Sequence, residues 1–364
     1  MKRTLTIIKV CTLALTLGIV GPAYAQDAEE KSSAEAGPAE ATVKEEVEVK
    51  EKSPWRGSSF TYSNAMSMLE VDDVNFIYGM SFAFAPVYYM RDDLSLRANF
   101  SMWVELTDGV GVDHAQQLFL GDLSLELNYA PDWAKIPVFG IKVNPYLRLY
   151  LPTGTTARRR TLIMGLAPGI NFTRSWDLMS GDWLKNISVR YGFRAAKYFN
   201  EYTTSQFNDP NAICVGGDPT SPSCQGTGGR NVSWSFSNQL AINLQIHKQV
   251  SLSIMAGLVN HIMYDLDEVA LAELKGIENP DAFGDTAVAG TDINMRGAVI
   301  GDVSLTYSPL SWLNIIAGFA AETPQLQPDS ESYYPWLFNR YAQFHLDINI
   351  PVERLVAQIT EWVE

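Results

Sequence analysis

The chain has 364 residues, with 27 Lys and Arg against 41 Asp and Glu and a formal net charge of −14. So acidic a balance argues against a nucleic-acid partner, whose phosphates require a basic surface. The length admits two ordinary domains or one large β domain, so fold class must come from patterning.

At the N-terminus, Lys2 and Arg3 precede an apolar stretch from Val10 to Val20, and Ala23-Tyr24-Ala25 places small residues where a signal peptidase reads. That apolar core is 11 residues long, short of the roughly 20 needed to cross a bilayer as a helix. Residues 1–25 therefore read as a cleaved signal peptide, and the absence of a following Cys argues against a lipoprotein. Cys11 leaves with this peptide, so Cys214 and Cys224 sit in an oxidising compartment ten residues apart and read as a loop disulfide. Residues 26–57 follow as an acidic leader. From 26 to 52 it carries nine acids, four lysines and no aromatic residue, too little apolar surface to offset ordering entropy, so it is expected to be disordered.

From 58 to 350 the pattern is period two, the mark of strands with one apolar and one polar face. Leu123, Leu125, Leu127 and Tyr129 alternate with Asp122, Ser124, Glu126 and Asn128. From Val232 to His247 the alternation is broken on the apolar side only by Asn238. Twelve strands are predicted, at 58–65, 74–90, 94–106, 118–130, 138–151, 161–173, 185–199, 232–247, 249–264, 294–308, 311–322 and 339–350. Many exceed an ordinary strand and reach the roughly 9 to 11 residues of a tilted membrane-crossing strand. Connections alternate between compact turns and longer loops, and the three longest, 200–231, 265–293 and 323–338, fall at one end. A β-sandwich has no reason to sort loops by parity, whereas an outer-membrane barrel does so, with turns in the periplasm. Tyr88, Trp103, Trp234, Tyr264, Tyr307, Trp312 and Tyr341 lie near strand ends, where aromatic girdles form.

These features resemble Gram-negative outer-membrane β-barrels of about 12 strands as a class, and the likeness covers nearly all of 58–350. Leu151-Pro152-Thr153-Gly154 at the start of a loop is similar to a feature of several barrel transporter families. The resemblance implies an all-β transmembrane antiparallel barrel in the outer membrane, reached by secretory export and the barrel-assembly machinery, with outer-membrane lipid and lipopolysaccharide around it. The chain departs from the class in that its last strand ends at Ile350 rather than on an aromatic residue. The tail, 351–364, puts Val352, Leu355, Val356, Ile359, Trp362 and Val363 at helical spacing behind a proline. It reads as a short amphipathic helix, a lid on the periplasmic rim or, alternatively, a partner-binding helix.

If the apolar parity faces lipid, the opposite parity lines the lumen. It carries Arg97, Glu105, Asp122, Glu126, Lys142, Arg148, Arg190, Arg194, His261, Arg296, Asp302, His345 and Asp347. Such a lining is either an ion-pair lattice that fills a narrow barrel or a charged constriction that selects a small solute. Arg148, Arg190 and Arg194 would form a cationic wall, and Glu105, Asp122 and Glu126 an anionic one. Lys197 and Arg340 have the outward parity at loop ends, in reach of lipopolysaccharide phosphates. An enzyme would need a Ser or Thr beside a His, and none of His114, His247, His261 and His345 shows a His-x-Ser spacing. No metal site or cofactor is expected. The eight acids of 265–293 lack calcium-loop spacing, and Gly226-Thr227-Gly228-Gly229 lacks the context of a phosphate cradle. The sequence thus points to a narrow channel or transporter, the alternatives being a lipid-modifying barrel enzyme or an adhesive barrel acting through its loops. For the cysteines the expected outcome is definite: thiol labelling of the unfolded, unreduced protein leaves both Cys214 and Cys224 unmodified, and labelling of both refutes the bond.

Overall fold

The computed structural model describes residues 53–68, 78–107, 118–131, 133–137, 139–178, 183–208, 225–265, 294–325, 333–339 and 341–363. Residues 1–25, read above as a signal peptide, the leader up to residue 52, His114, Cys214, Cys224, the acidic stretch 266–293 and Arg340 lie outside the described residues.

Twelve antiparallel strands close into a barrel. In chain order they are β1 (Ser59–Ser67), β2 (Tyr78–Ala85, continued after Pro86 by Val87–Arg91) and β3 (Leu94–Glu105). Next come β4 (Leu118–Leu120, continued by Leu123–Tyr129), β5 (Ile141–Leu151), β6 (Leu162–Asp177) and β7 (Asn186–Asn200). The rest are β8 (Val232–His247), β9 (Val250–Met263), β10 (Met295–Leu310), β11 (Leu313–Pro324) and β12 (Gln343–Pro351). Each strand pairs with its sequence neighbours, and β1 closes the barrel on β12 from Ser59↔Pro351 to Ser67↔Gln343. A short helix, α1 (Thr155–Arg159), follows β5, and α2 (Val352–Val363) follows β12. All twelve predicted strands are present, including the weakly patterned first.

Side chains sort by parity. On β9, Ser253, Met255, Val259, His261 and Met263 are buried while Leu258 is 48% exposed. The exposed set also includes Leu147, Leu166, Leu240, Leu305 and Ile348, an apolar exterior of the kind that faces lipid. Breaks in the apolar pattern are answered by neighbours. Asn238, the exception on β8, accepts a hydrogen bond from the Tyr191 hydroxyl at 2.8 Å, and Asn64 on β1 accepts one from Tyr62 at 3.1 Å. Lys197, also outward, lies 5.3 Å from the Trp234 ring and 5.0 Å from that of Tyr264, and donates to Ser233 at 2.6 Å. Its ammonium is thus held among aromatic faces and a hydroxyl.

Two expectations change. Trp103 belongs to the inner wall, not to a girdle: it shares parity with Glu105 and stacks on buried Phe119 with ring centroids 4.1 Å apart. The unbroken alternation of β3, which Trp103 shares with Arg97 and Glu105, turns it inward; a bulge on the neighbouring strand sets its partner. Register runs Trp103↔Phe119 but Asn99↔Ser124, so one extra residue at Gly121–Asp122 reverses the parity of β4 midway. The tail is helical as expected but is not packed as a lid. Val352 N–H donates to Ser58 O at 2.9 Å, yet Val356 is 56% and Ile359 47% exposed. At the opposite end, segment 333–339 folds onto the outer wall, where a Cβ on Gly301 would lie 2.3 Å from Trp336 O. The Asn238 arrangement is checked by Tyr191→Phe. It should lower the unfolding free energy in lipid vesicles by about 1 kcal/mol, because an amide facing hydrocarbon loses its partner; an unchanged value would show that Asn238 is hydrated.

Candidate functional site

Register sets the lumen's geometry before any side chain is considered. Arg97 lies opposite Glu126, Glu126 opposite Arg148, and Arg148 opposite Ala167. The same rung continues through Ala196, Ser235 and His261 to Arg296. With strands about 4.8 Å apart, Arg97, Glu126 and Arg148 span about 10 Å of wall. The Glu126 carboxylate, in a residue 7% exposed, takes Arg148 Nη2 at 2.6 Å and Nε at 2.7 Å, and its other oxygen accepts from Asn128 at 2.8 Å. Such charge-assisted bonds make the pair a fixed element of the wall.

Below this rung the cations continue. Arg194 pairs with Gly169, and both Arg190 and Lys142 pair with Thr173. From Ala167 to Thr173 is about 20 Å along β6 at the usual strand rise, so Arg148, Arg194, Arg190 and Lys142 step down one side of the barrel. Arg194 donates to the Tyr150 hydroxyl at 2.8 Å. Arg97, Glu126, Arg148, Arg190 and Arg194 line one solvent-open cavity that reaches across to Gln239 and Met255. Since β3 and β9 stand six strands apart in a ring of twelve, this cavity spans the barrel's width.

The facing wall has a different device. His345 on β12 lies between two carboxylates, Nδ1 at 2.9 Å from Asp347 and Nε2 at 3.3 Å from Asp302. Ser304 donates to Asp302 at 3.1 Å, and Ser63 on β1 bonds the second Asp347 oxygen. Gly318 makes the arrangement possible, because a Cβ there would sit 2.6 Å from His345 Nε2. One level away, Ser308, Asn314, Asn349 and Thr61 form a second chain of side-chain hydrogen bonds across the same strands.

The remaining predicted residues have other surroundings. Glu105 is 2% exposed at the loop end of β3 and accepts from Thr107 at 3.4 Å. Asp122 sits in the β4 bulge and accepts the Gly154 N–H at 2.8 Å, so it holds the turn into α1. Lys142 and Arg296 are exposed near opposite ends, and His261 is buried. The anionic wall expected on β3 and β4 does not form as a wall: Glu126 belongs to the arginine cluster, and Asp122 to the loop.

Sequence reasoning missed Tyr146, Tyr150 and Tyr198, all inward. Tyr146 lies across Gly169, where a Cβ would meet its ring at 2.2 Å, and Tyr150 and Tyr198 close over Gly165. The available signal was glycine inside a strand pattern, which marks close approach from a neighbour.

No protein-family model matches the chain, and no curated protein matches it in sequence. Solved structures with similar architecture include an outer membrane channel from Pseudomonas putida F1, 12% identical, with a TM-score of 0.47, covering 82% of this chain and 96% of that one. NanC porin is 10% identical with a TM-score of 0.37 over 81% and 98% of the two chains. The β domain of the Bordetella autotransporter BrkA is 9% identical with a TM-score of 0.37 over 81% and 99%. These are likenesses of barrel architecture.

The Tyr146–Gly169 contact yields a double-mutant test. Gly169→Ala should cost about 1–3 kcal/mol by overpacking, and most of that cost should vanish in the Tyr146→Ala background; additive effects would place the ring elsewhere.

Proposed function

We propose that the protein is an outer-membrane channel that passes a small solute through its charged lumen, and that negatively charged groups on the solute are drawn along the β5–β7 wall. The observation that carries this reading is the file of cations beside the cavity. Among the described lining residues, Arg97, Arg148, Arg190 and Arg194 stand against Glu126. A fixed guanidinium fork suits carboxylate and phosphate oxygens, and charged rings at close quarters discriminate by sign. The barrel is wider than the eight-stranded kind that side chains just fill and narrower than 16-stranded porins, which fits a constricted passage. Export through a cleaved signal peptide, barrel assembly, and contact with outer-membrane lipid and lipopolysaccharide belong to the same proposal.

Enzyme chemistry is the weaker reading. The Ser63 hydroxyl bonds Asp347, and the two ring nitrogens of His345 face the Asp347 and Asp302 carboxylates, an arrangement unlike a hydroxyl nucleophile paired with its base.

The test is conductance in planar bilayers, comparing wild type with Arg148→Ala, Arg190→Ala and Arg194→Ala combined. Wild type should conduct with a preference for anions, and the triple variant should lose most of that preference while keeping heat-modifiable migration. Absence of conductance, together with deacylation of vesicle lipid, would replace the channel by an enzyme. Conductance with unchanged selectivity would remove these arginines from the passage.

A further inference from the structure

α2 is an amphipathic helix whose apolar stripe the barrel does not use. Its length of 12 residues gives about 18 Å, too short to cross a bilayer. The helix begins with no linker at the end of β12, and two bonds fix its root on the turn-end rim. Val352 N–H donates to Ser58 O at 2.9 Å, and Arg354 Nη1 to Ser311 O at 3.3 Å in the β10–β11 turn. Around that root the barrel exterior is apolar and open: Ile348 is 38%, Tyr307 44% and Leu310 47% exposed. On the helix, Leu355, Val356 and Ile359 share one face, and Val356 and Ile359 are 56% and 47% exposed. The stripe therefore extends from the lipid-facing belt at the rim.

From this continuity we propose that α2 lies in the headgroup region of the leaflet at the turn end, its Leu355–Val356–Ile359 face buried in lipid and anchoring the closing strand. This rests on the membrane-spanning reading of the barrel. The charges decide which lipid chemistry matters. Glu353 and Glu361 outnumber Arg354 on the helix, so it gains nothing from anionic headgroups, and its attachment is apolar. Basic interfacial helices, which anionic lipid recruits, behave in the opposite way. Attachment should therefore resist high salt and persist in a purely zwitterionic bilayer.

The experiment places a photoreactive benzoylphenylalanine in the full-length protein, reconstituted in phosphatidylcholine–phosphatidylethanolamine vesicles, at Leu258, Val356, Ile359 or Ala357. Leu258 faces outward on the barrel and reports the membrane reading alone; Ala357, exposed and on the opposite side of the helix from Leu355 and Ile359, reports the polar face. Lipid adducts at Leu258, Val356 and Ile359, with loss of the signal at Ala357 and no change in 1 M salt, are expected. If Leu258 gives none, the barrel does not span the bilayer. If Leu258 gives adducts while Val356 and Ile359 react with the barrel, with another protein or with nothing, the helix is not interfacial and the proposal falls. Adducts of equal yield at Ala357 and Ile359 would also overturn it, since no face would then be preferred.

Discussion

Everything in this structure depends on the bonding of β1 to β12. In hydrocarbon an unpaired backbone N–H or C=O costs several kcal/mol, and only a closed ring leaves none at a strand edge. Nine residues of β1 are in register with β12, yet β1 has a modest apolar face, with Asn64 on it. The seam is instead reinforced from within. The chains Ser304–Asp302–His345–Asp347–Ser63 and Ser308–Asn314–Asn349–Thr61 cross from β10 or the β10–β11 turn to β1 on the lumen side. Each locks side chains in register, and a slip by one residue would turn all of them toward lipid. The closing strands are thus specified by polar groups that tolerate only one pairing.

That device also explains how the two walls differ electrostatically. A carboxylate in a low-dielectric interior needs polar partners, and on the β10–β12 side Asp302 and Asp347 share His345 and two serine hydroxyls. One imidazole cannot neutralise two carboxylates, so this wall keeps the opposite sign from the arginine wall it faces. On the β3–β7 side, Glu126 holds Arg148 while Arg97, Arg190 and Arg194 line the same cavity. The stakes of the Glu126–Arg148 pair are asymmetric: removing either partner strands a buried charge, a loss larger than the pair's own net contribution. The ion pair therefore keeps one guanidinium immobile in the wall.

Alternation alone identified the twelve strands and placed the buried charges of β5, β7 and β12 on the inner face, because a one-residue period of two is a local property that lipid on one side and water on the other impose directly. What it could not reveal is set by pairing. The bulge at Gly121–Asp122 inserts one residue opposite β3, so Phe119 points inward, onto Trp103, although Leu123 and Leu125 of the same parity point out. Nor could it say which inward charges meet. Arg97, Glu126 and Arg148 come together because three registers align them, while Glu105, on the same strand as Arg97, sits at the loop end. Tyr146 was on the inward parity from the start, but only its contact with Gly169 explains why so large a ring fits there.

The tyrosines give the charged wall its rigidity. Arg194 donates to Tyr150, whose ring lies 5.8 Å from that of Tyr198 and packs in a buried cluster with Ala167, Ala196 and Met263. Small residues at 165, 167, 169 and 196 are what allow these rings to lie flat along the wall and leave the cavity open beside them. A larger residue at Gly169 would collide with the Tyr146 ring, which lines the same cavity as Arg97 and Arg148. Charged groups carried on strands in this way are held by side chains whose rotamers are locked by packing. The glycines of β6, which carry no charge, therefore shape the cavity as much as the arginines they make room for.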